Sequence, residues 1–104
     1  MTFSDYQRAA LRTSREHPAR ERLLVQALGL NGEAGEVAEL IKKWAWHGKD
    51  LAPDVMAKEL GDCLWYLSDL ASACCLKLDD IARMNVEKLQ QRYPDGFTAD
   101  GGQR

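Results

Sequence analysis

Apolar residues recur along this chain at intervals of three and four rather than in alternation, which predicts helices throughout and no strand pair. Prolines at positions 18, 53 and 94 punctuate the pattern and divide it into four helical segments. The first runs from Ser4, read as an N-cap, to Glu16, with Tyr6, Ala9, Ala10 and Thr13 at helical spacing. The second spans Ala19 to Trp46 and sets Leu24, Ala27, Leu28, Val37, Leu40, Ile41 and Trp44 on an apolar stripe. Within it, Gly29-Leu30-Asn31-Gly32 reads either as a break or as a site of close packing, and His47-Gly48-Lys49-Asp50 as the exit turn. The third starts near Asp54 and reaches Cys75 on a stripe of Leu60, Leu64, Leu67, Ala71 and Cys74. At roughly 33 Å, its length suits a four-helix bundle. The fourth is capped by Asp79, turns Ile81, Met84 and Leu89 inward and stops before Pro94.

The expected fold is therefore all-α, a single helical domain over residues 1–95 followed by a flexible tail over 96–104 in which Phe97 is the anchor. Trp65, Tyr66 and Leu70 spread the apolar surface of the third helix beyond one stripe, so a homo-oligomer, dimer or tetramer, is expected to complete the bundle.

Composition narrows the function classes. With 45% hydrophobic and 29% charged residues in 104, the chain has the make-up of a folded globule. A net charge of −2 and a pI near 5.6 provide no basic face for a nucleic-acid polymer, while leaving room for a free nucleotide. Cys63, Cys74 and Cys75 are odd in number and lack disulfide spacing, so they read as reduced thiols. No leader pattern and no run of 18 apolar residues is present, and a cytoplasmic protein without membrane association is expected.

The chemistry lies in two acidic doublets, Glu33-Ala34-Gly35-Glu36 on the second helix and Glu59-Leu60-Gly61-Asp62 on the third. Helical positions three apart share a face, so each doublet projects two carboxylates side by side. An antiparallel hairpin of these helices lets the doublets face each other. Four gathered carboxylates repel unless cations or protons neutralise them, and a hard divalent ion, Mg²⁺ first, is the natural partner. The alternative is a helical interaction protein whose acidic residues line a solvated face. On the fourth helix Asn85, Lys88 and Arg92 form one stripe suited to phosphate. Trp44, Trp46 and Tyr66 are candidate stacking partners for a base. Lys42, Lys43 and Lys49 suit the helix dipole better than a ligand. Neither His17 nor His47 follows a glutamate by three, which argues against a di-iron bundle, and no histidine is placed to activate Cys63.

Gly32-Glu33-Ala34-Gly35-Glu36-Val37-Ala38-Glu39, then Lys58-Glu59-Leu60-Gly61-Asp62 and Cys63-Leu64-Trp65-Tyr66-Leu67, resemble the signature of the MazG-like all-α nucleoside triphosphate pyrophosphohydrolases, most nearly the dCTP pyrophosphatase branch. The resemblance covers residues 20 to 95, including Lys88-Leu89-Gln90-Gln91-Arg92-Tyr93-Pro94. It implies Mg²⁺-dependent hydrolysis of a (deoxy)nucleoside triphosphate to monophosphate and pyrophosphate, as nucleotide-pool housekeeping, with Mn²⁺ as a substitute. It implies Glu33, Glu36, Glu59 and Asp62 as metal ligands. The general base is left open between Glu33, Glu36 and the metal itself, because Gly32 stands where many members carry a further glutamate. Asn85, Lys88, Arg92, Tyr66 and Trp44 are the expected substrate contacts. A phosphoribosyl-ATP pyrophosphatase is the related alternative, with poorer motif spacing.

Overall fold

A computed structural model of the chain describes residues 1–97 and Ala99. The expected tail over 96–104 falls largely outside the described residues. The order is α1 (Phe3–Leu11), α2 (Ala19–His47), α3 (Pro53–Ala73) and α4 (Leu78–Arg92), an all-α architecture with no regular strand among the described residues. No helix is long and apolar enough to cross a membrane among them.

Local chemistry fixes the helix ends. Thr2, not Ser4, caps α1: its hydroxyl accepts from the Asp5 amide at 3.0 Å, and the Asp5 carboxylate accepts from the Thr2 amide at 3.1 Å. Helix α1 stops at Leu11, short of Glu16, and the Thr13 hydroxyl donates to the Ala10 carbonyl at 2.7 Å. Gly48, at φ 64, takes the left-handed conformation that closes α2. Pro53 opens α3, where its missing N–H is no loss. Helix α4 begins at Leu78 rather than after Asp79. The Gln7 side chain holds that junction, its amide carbonyl accepting from the Leu78 amide at 2.9 Å while its Nε2 donates to the Leu76 carbonyl at 2.9 Å and to Ser72 Oγ at 3.0 Å.

Helices α2 and α3 form the main packed pair, a hairpin joined by a short connection. Its register is antiparallel: Gln26 bonds to Asp69, Gly29 lies under Tyr66, and Glu33 meets Glu59 and Asp62, each pair advancing on one helix as it retreats on the other. Helix α2 runs unbroken through Gly29-Leu30-Asn31-Gly32. Close packing explains Gly29, since a Cβ there would fall 2.2 Å from the Tyr66 ring.

The inward face of α2 differs from the expected apolar stripe. Leu24, Ala27 and Leu28 are exposed, and the positions turned to α3 at that end are Arg22, Gln26 and Gly29. Arg22 donates to both oxygens of Asp69, Nη2 to Oδ1 at 2.7 Å and Nε to Oδ2 at 3.2 Å, and Gln26 Nε2 adds a bond to Oδ2 at 2.6 Å. Burial works against the Asp69 charge, but these donors outweigh it and hold the carboxyl below its ordinary range. Among the described residues the buried apolar ones are Ala10, Ala71 and Leu78, on α1, α3 and the start of α4. Leu60 and Leu67, expected inward on α3, are exposed, as are Met84 and Leu89 on α4. Helix α4 packs chiefly on α1 instead of along the hairpin.

Candidate functional site

Midway along the hairpin, Glu33 from α2 and Glu59 and Asp62 from α3 bring one carboxylate oxygen each to within 4.8 Å of one another. Glu59 and Asp62 meet because they are three apart on one helix. Glu33 meets them because Gly29 lets α2 settle against Tyr66 one turn further on. The Glu33 carboxyl is raised above its ordinary range by partial burial, by a hydrogen bond with Glu59 that needs a shared proton, and by the charges of Asp62, Glu59 and Glu36. Crowded carboxylates, with oxygen ligands and no competing nitrogen or sulfur, are a donor set that a hard cation fits.

Glu36 is exposed and stands outside this three-oxygen group, although its charge acts on Glu33. Tyr66 lies one turn beyond Asp62, half-buried, packed on Gly29 and edge-on to Trp65 with ring centroids 5.0 Å apart. Trp44 is 53% exposed and 15 positions along α2 from Gly29, so roughly 22 Å separates it from the Tyr66 ring. Within one copy the two aromatics cannot share a base. Asn85, Lys88 and Arg92 are exposed on α4, away from the hairpin, and Arg92 lies 6.0 Å from the Tyr93 ring centroid. A single chain thus assembles the acids and Tyr66 but does not bring the α4 stripe to them.

Two neighbours of the site were not singled out from the sequence. Tyr6 sits close enough to Asp62 that burial and the Asp62 charge raise its phenol above the ordinary value, keeping it a protonated donor. Asp69 continues the Glu59, Asp62, Tyr66 stripe of α3 at the next turn, and that spacing was the available signal. For Tyr6 no local signal existed, because its placement depends on how α1 docks.

The sequence profile of the MazG nucleotide pyrophosphohydrolase domain matches residues 23–97, most of the chain and all but the first turn of the hairpin that carries the acids. The chain belongs to the MazG nucleotide pyrophosphohydrolase family. A curated relative, the Gene 37 protein of Mycobacterium phage L5, is 36% identical over 87 residues, covering 79% of this chain and 75% of its own length. No solved structure matches the chain significantly. The MazG assignment agrees with the all-α architecture and with the acidic group shared by α2 and α3, and it places the protein among hydrolases of nucleotides.

Proposed function

We propose that the protein hydrolyses a (deoxy)nucleoside triphosphate to the monophosphate and pyrophosphate with Mg²⁺, as nucleotide-pool housekeeping, and that Mn²⁺ substitutes. The observation that carries this reading is the convergence of Glu33, Glu59 and Asp62, in a chain whose family acts on nucleotides. Mg²⁺ held by these three with help from Glu36 would offset the charge of the triphosphate and polarise the phosphorus under attack. In this reading Glu33, Glu36 or hydroxide on the cation would take the proton of the attacking water. Tyr6, its phenol kept protonated by burial and by the Asp62 charge, borders the same acidic group.

The working unit in this reading is a homo-oligomer, a dimer or a tetramer of two dimers. Helix α4 packs on α1 rather than along the hairpin of its own chain, and in this reading its Asn85, Lys88 and Arg92 would serve the phosphates bound by a second copy. Trp44, remote from Tyr66 in one chain, closes over the nucleotide in the same way. Incubation with each common triphosphate, with and without chelator, tests the reaction class. Chelator-sensitive release of pyrophosphate and monophosphate supports it. Orthophosphate with diphosphate contradicts it.

A further inference from the structure

We infer that the cleft between the α1–α2 connection and α3 is the nucleobase pocket, and that Arg15 and His17 make it select bases bearing carbonyl oxygens over adenine. This rests on the pyrophosphohydrolase reading and adds to it a site and a substrate class. Thr13, Arg15 and His17 all precede the family match at residues 23–97, so membership of the family assigns them nothing.

The cleft has a volume of about 380 Å³ and is lined by Thr13, Arg15, His17, Gln26, Trp65 and Tyr66. That is within the size range of small-ligand pockets. Its position suits a base. Tyr66 is one turn past Asp62 and rests on Gly29, one turn before Glu33, so the cleft opens about 6 Å along the helix axes from the acids. A nucleotide whose phosphates lie on the acids can turn its base towards this end, which holds an aromatic wall.

The wall is fixed before any ligand arrives. Trp65 Nε1 donates to Thr13 Oγ1 at 2.8 Å, the Thr13 hydroxyl donates onward to Ala10, and Gln26 is tied to Asp69. Arg15 and His17 are different: among the described residues neither side chain has a hydrogen bond or ion pair. A guanidinium offers donors and no acceptor, so it pairs best with an edge that carries a carbonyl oxygen beside a second acceptor, whereas adenine sets its ring nitrogens N1 and N7 beside an amino group that a guanidinium cannot accept from. Stacking on Tyr66 or Trp65 adds affinity without choosing the base. A larger cavity of about 470 Å³, lined by Met1, Phe3, Tyr6, Leu64 and Asp79, has no cation and suits this role less well.

The test is a steady-state comparison of dATP, dCTP, dGTP, dTTP and dUTP for the full chain, Arg15→Ala and His17→Ala, with inorganic pyrophosphate as a competitive probe of the phosphate region alone. The wild type is expected to favour carbonyl-bearing bases over adenine by about tenfold in kcat/KM. Arg15→Ala should erase most of that preference through KM, with the pyrophosphate inhibition constant within about twofold of the wild type. An unchanged base panel in both variants overturns the pocket. So does a pyrophosphate constant that rises together with KM, which would put these residues on the phosphates. A wild type that releases no pyrophosphate from any triphosphate defeats the underlying reading, and the pocket with it.

Discussion

Glu33 carries the repulsion of its acidic neighbours. Its carboxyl is raised in the folded state, so the stabilising share of its proton is complete below the unfolded value and is lost as pH rises through the folded one. Without metal, melting temperature should therefore fall across the upper carboxylate range in the wild type and not in Glu33→Gln. Magnesium should reverse the order by binding only the folded wild-type cluster. Parallel melting curves with and without magnesium would contradict this. Asp69 behaves oppositely: its lowered carboxyl contributes stability above the unfolded value, and that contribution disappears as pH falls through the folded one. Asp69→Ala leaves Arg22 and Gln26 without their acceptor and should cost about 3 kcal/mol in urea unfolding. That Glu59 and Asp62 share a face was legible, because a three-residue interval on a helix fixes it; that Glu33 joins them while Glu36 stays outside depends on how α2 packs on α3. Asp69 was not, since one buried aspartate looks like any surface aspartate until its partners from α2 are in place.

At the level of elements, helix number and type followed from apolar periodicity and the three prolines, and the boundaries moved by a few residues where side chains act as caps. Thr2 displaced Ser4 because the reciprocal bond with Asp5 satisfies two orphan amides. Which face of α2 turns inward was harder to see. Leu24 and Leu28 pointed to an apolar core, but the hairpin interior is polar along this stretch and those leucines lie on the far side from Glu33. Gly29-Leu30-Asn31-Gly32 was ambiguous because a glycine that relieves a close approach and one that breaks a helix look identical in sequence. The glycines of α2 separate these cases experimentally. Gly32→Ala and Gly35→Ala meet open space and should stabilise the metal-free protein by up to about 1 kcal/mol. Gly29→Ala meets the Tyr66 ring and should destabilise it. Equal effects at all three positions would mean that Tyr66 does not rest on α2.

The whole molecule is polar where its two longest helices meet and apolar on much of its outside. Leu28 is 71% exposed and Met84 64%, and the radius of gyration is 16.6 Å, against about 13 Å for a compact chain of this length. The sequence pointed to Trp65, Tyr66 and Leu70 as the uncovered surface of α3, yet these are half-buried and Leu60 and Leu67 are exposed instead, and the packing of α4 on α1 is a property of tertiary structure that no local pattern encodes. A second copy covering these faces is the economical arrangement. Sedimentation equilibrium should give a dimer or tetramer, and Leu28→Glu should weaken it together with activity. A wild-type monomer that retains full activity would refute a shared site. The central claim is that Glu33, Glu59 and Asp62 hold the cation that makes triphosphate hydrolysis possible. Its most direct test is pyrophosphate release as magnesium is titrated into the wild type and into Glu59→Gln and Asp62→Asn, with helical circular dichroism as the control for folding. The account predicts saturable activation of the wild type and losses of about 100-fold or more in folded variants. Folded variants that release pyrophosphate at the wild-type rate, with the same magnesium dependence, would contradict it.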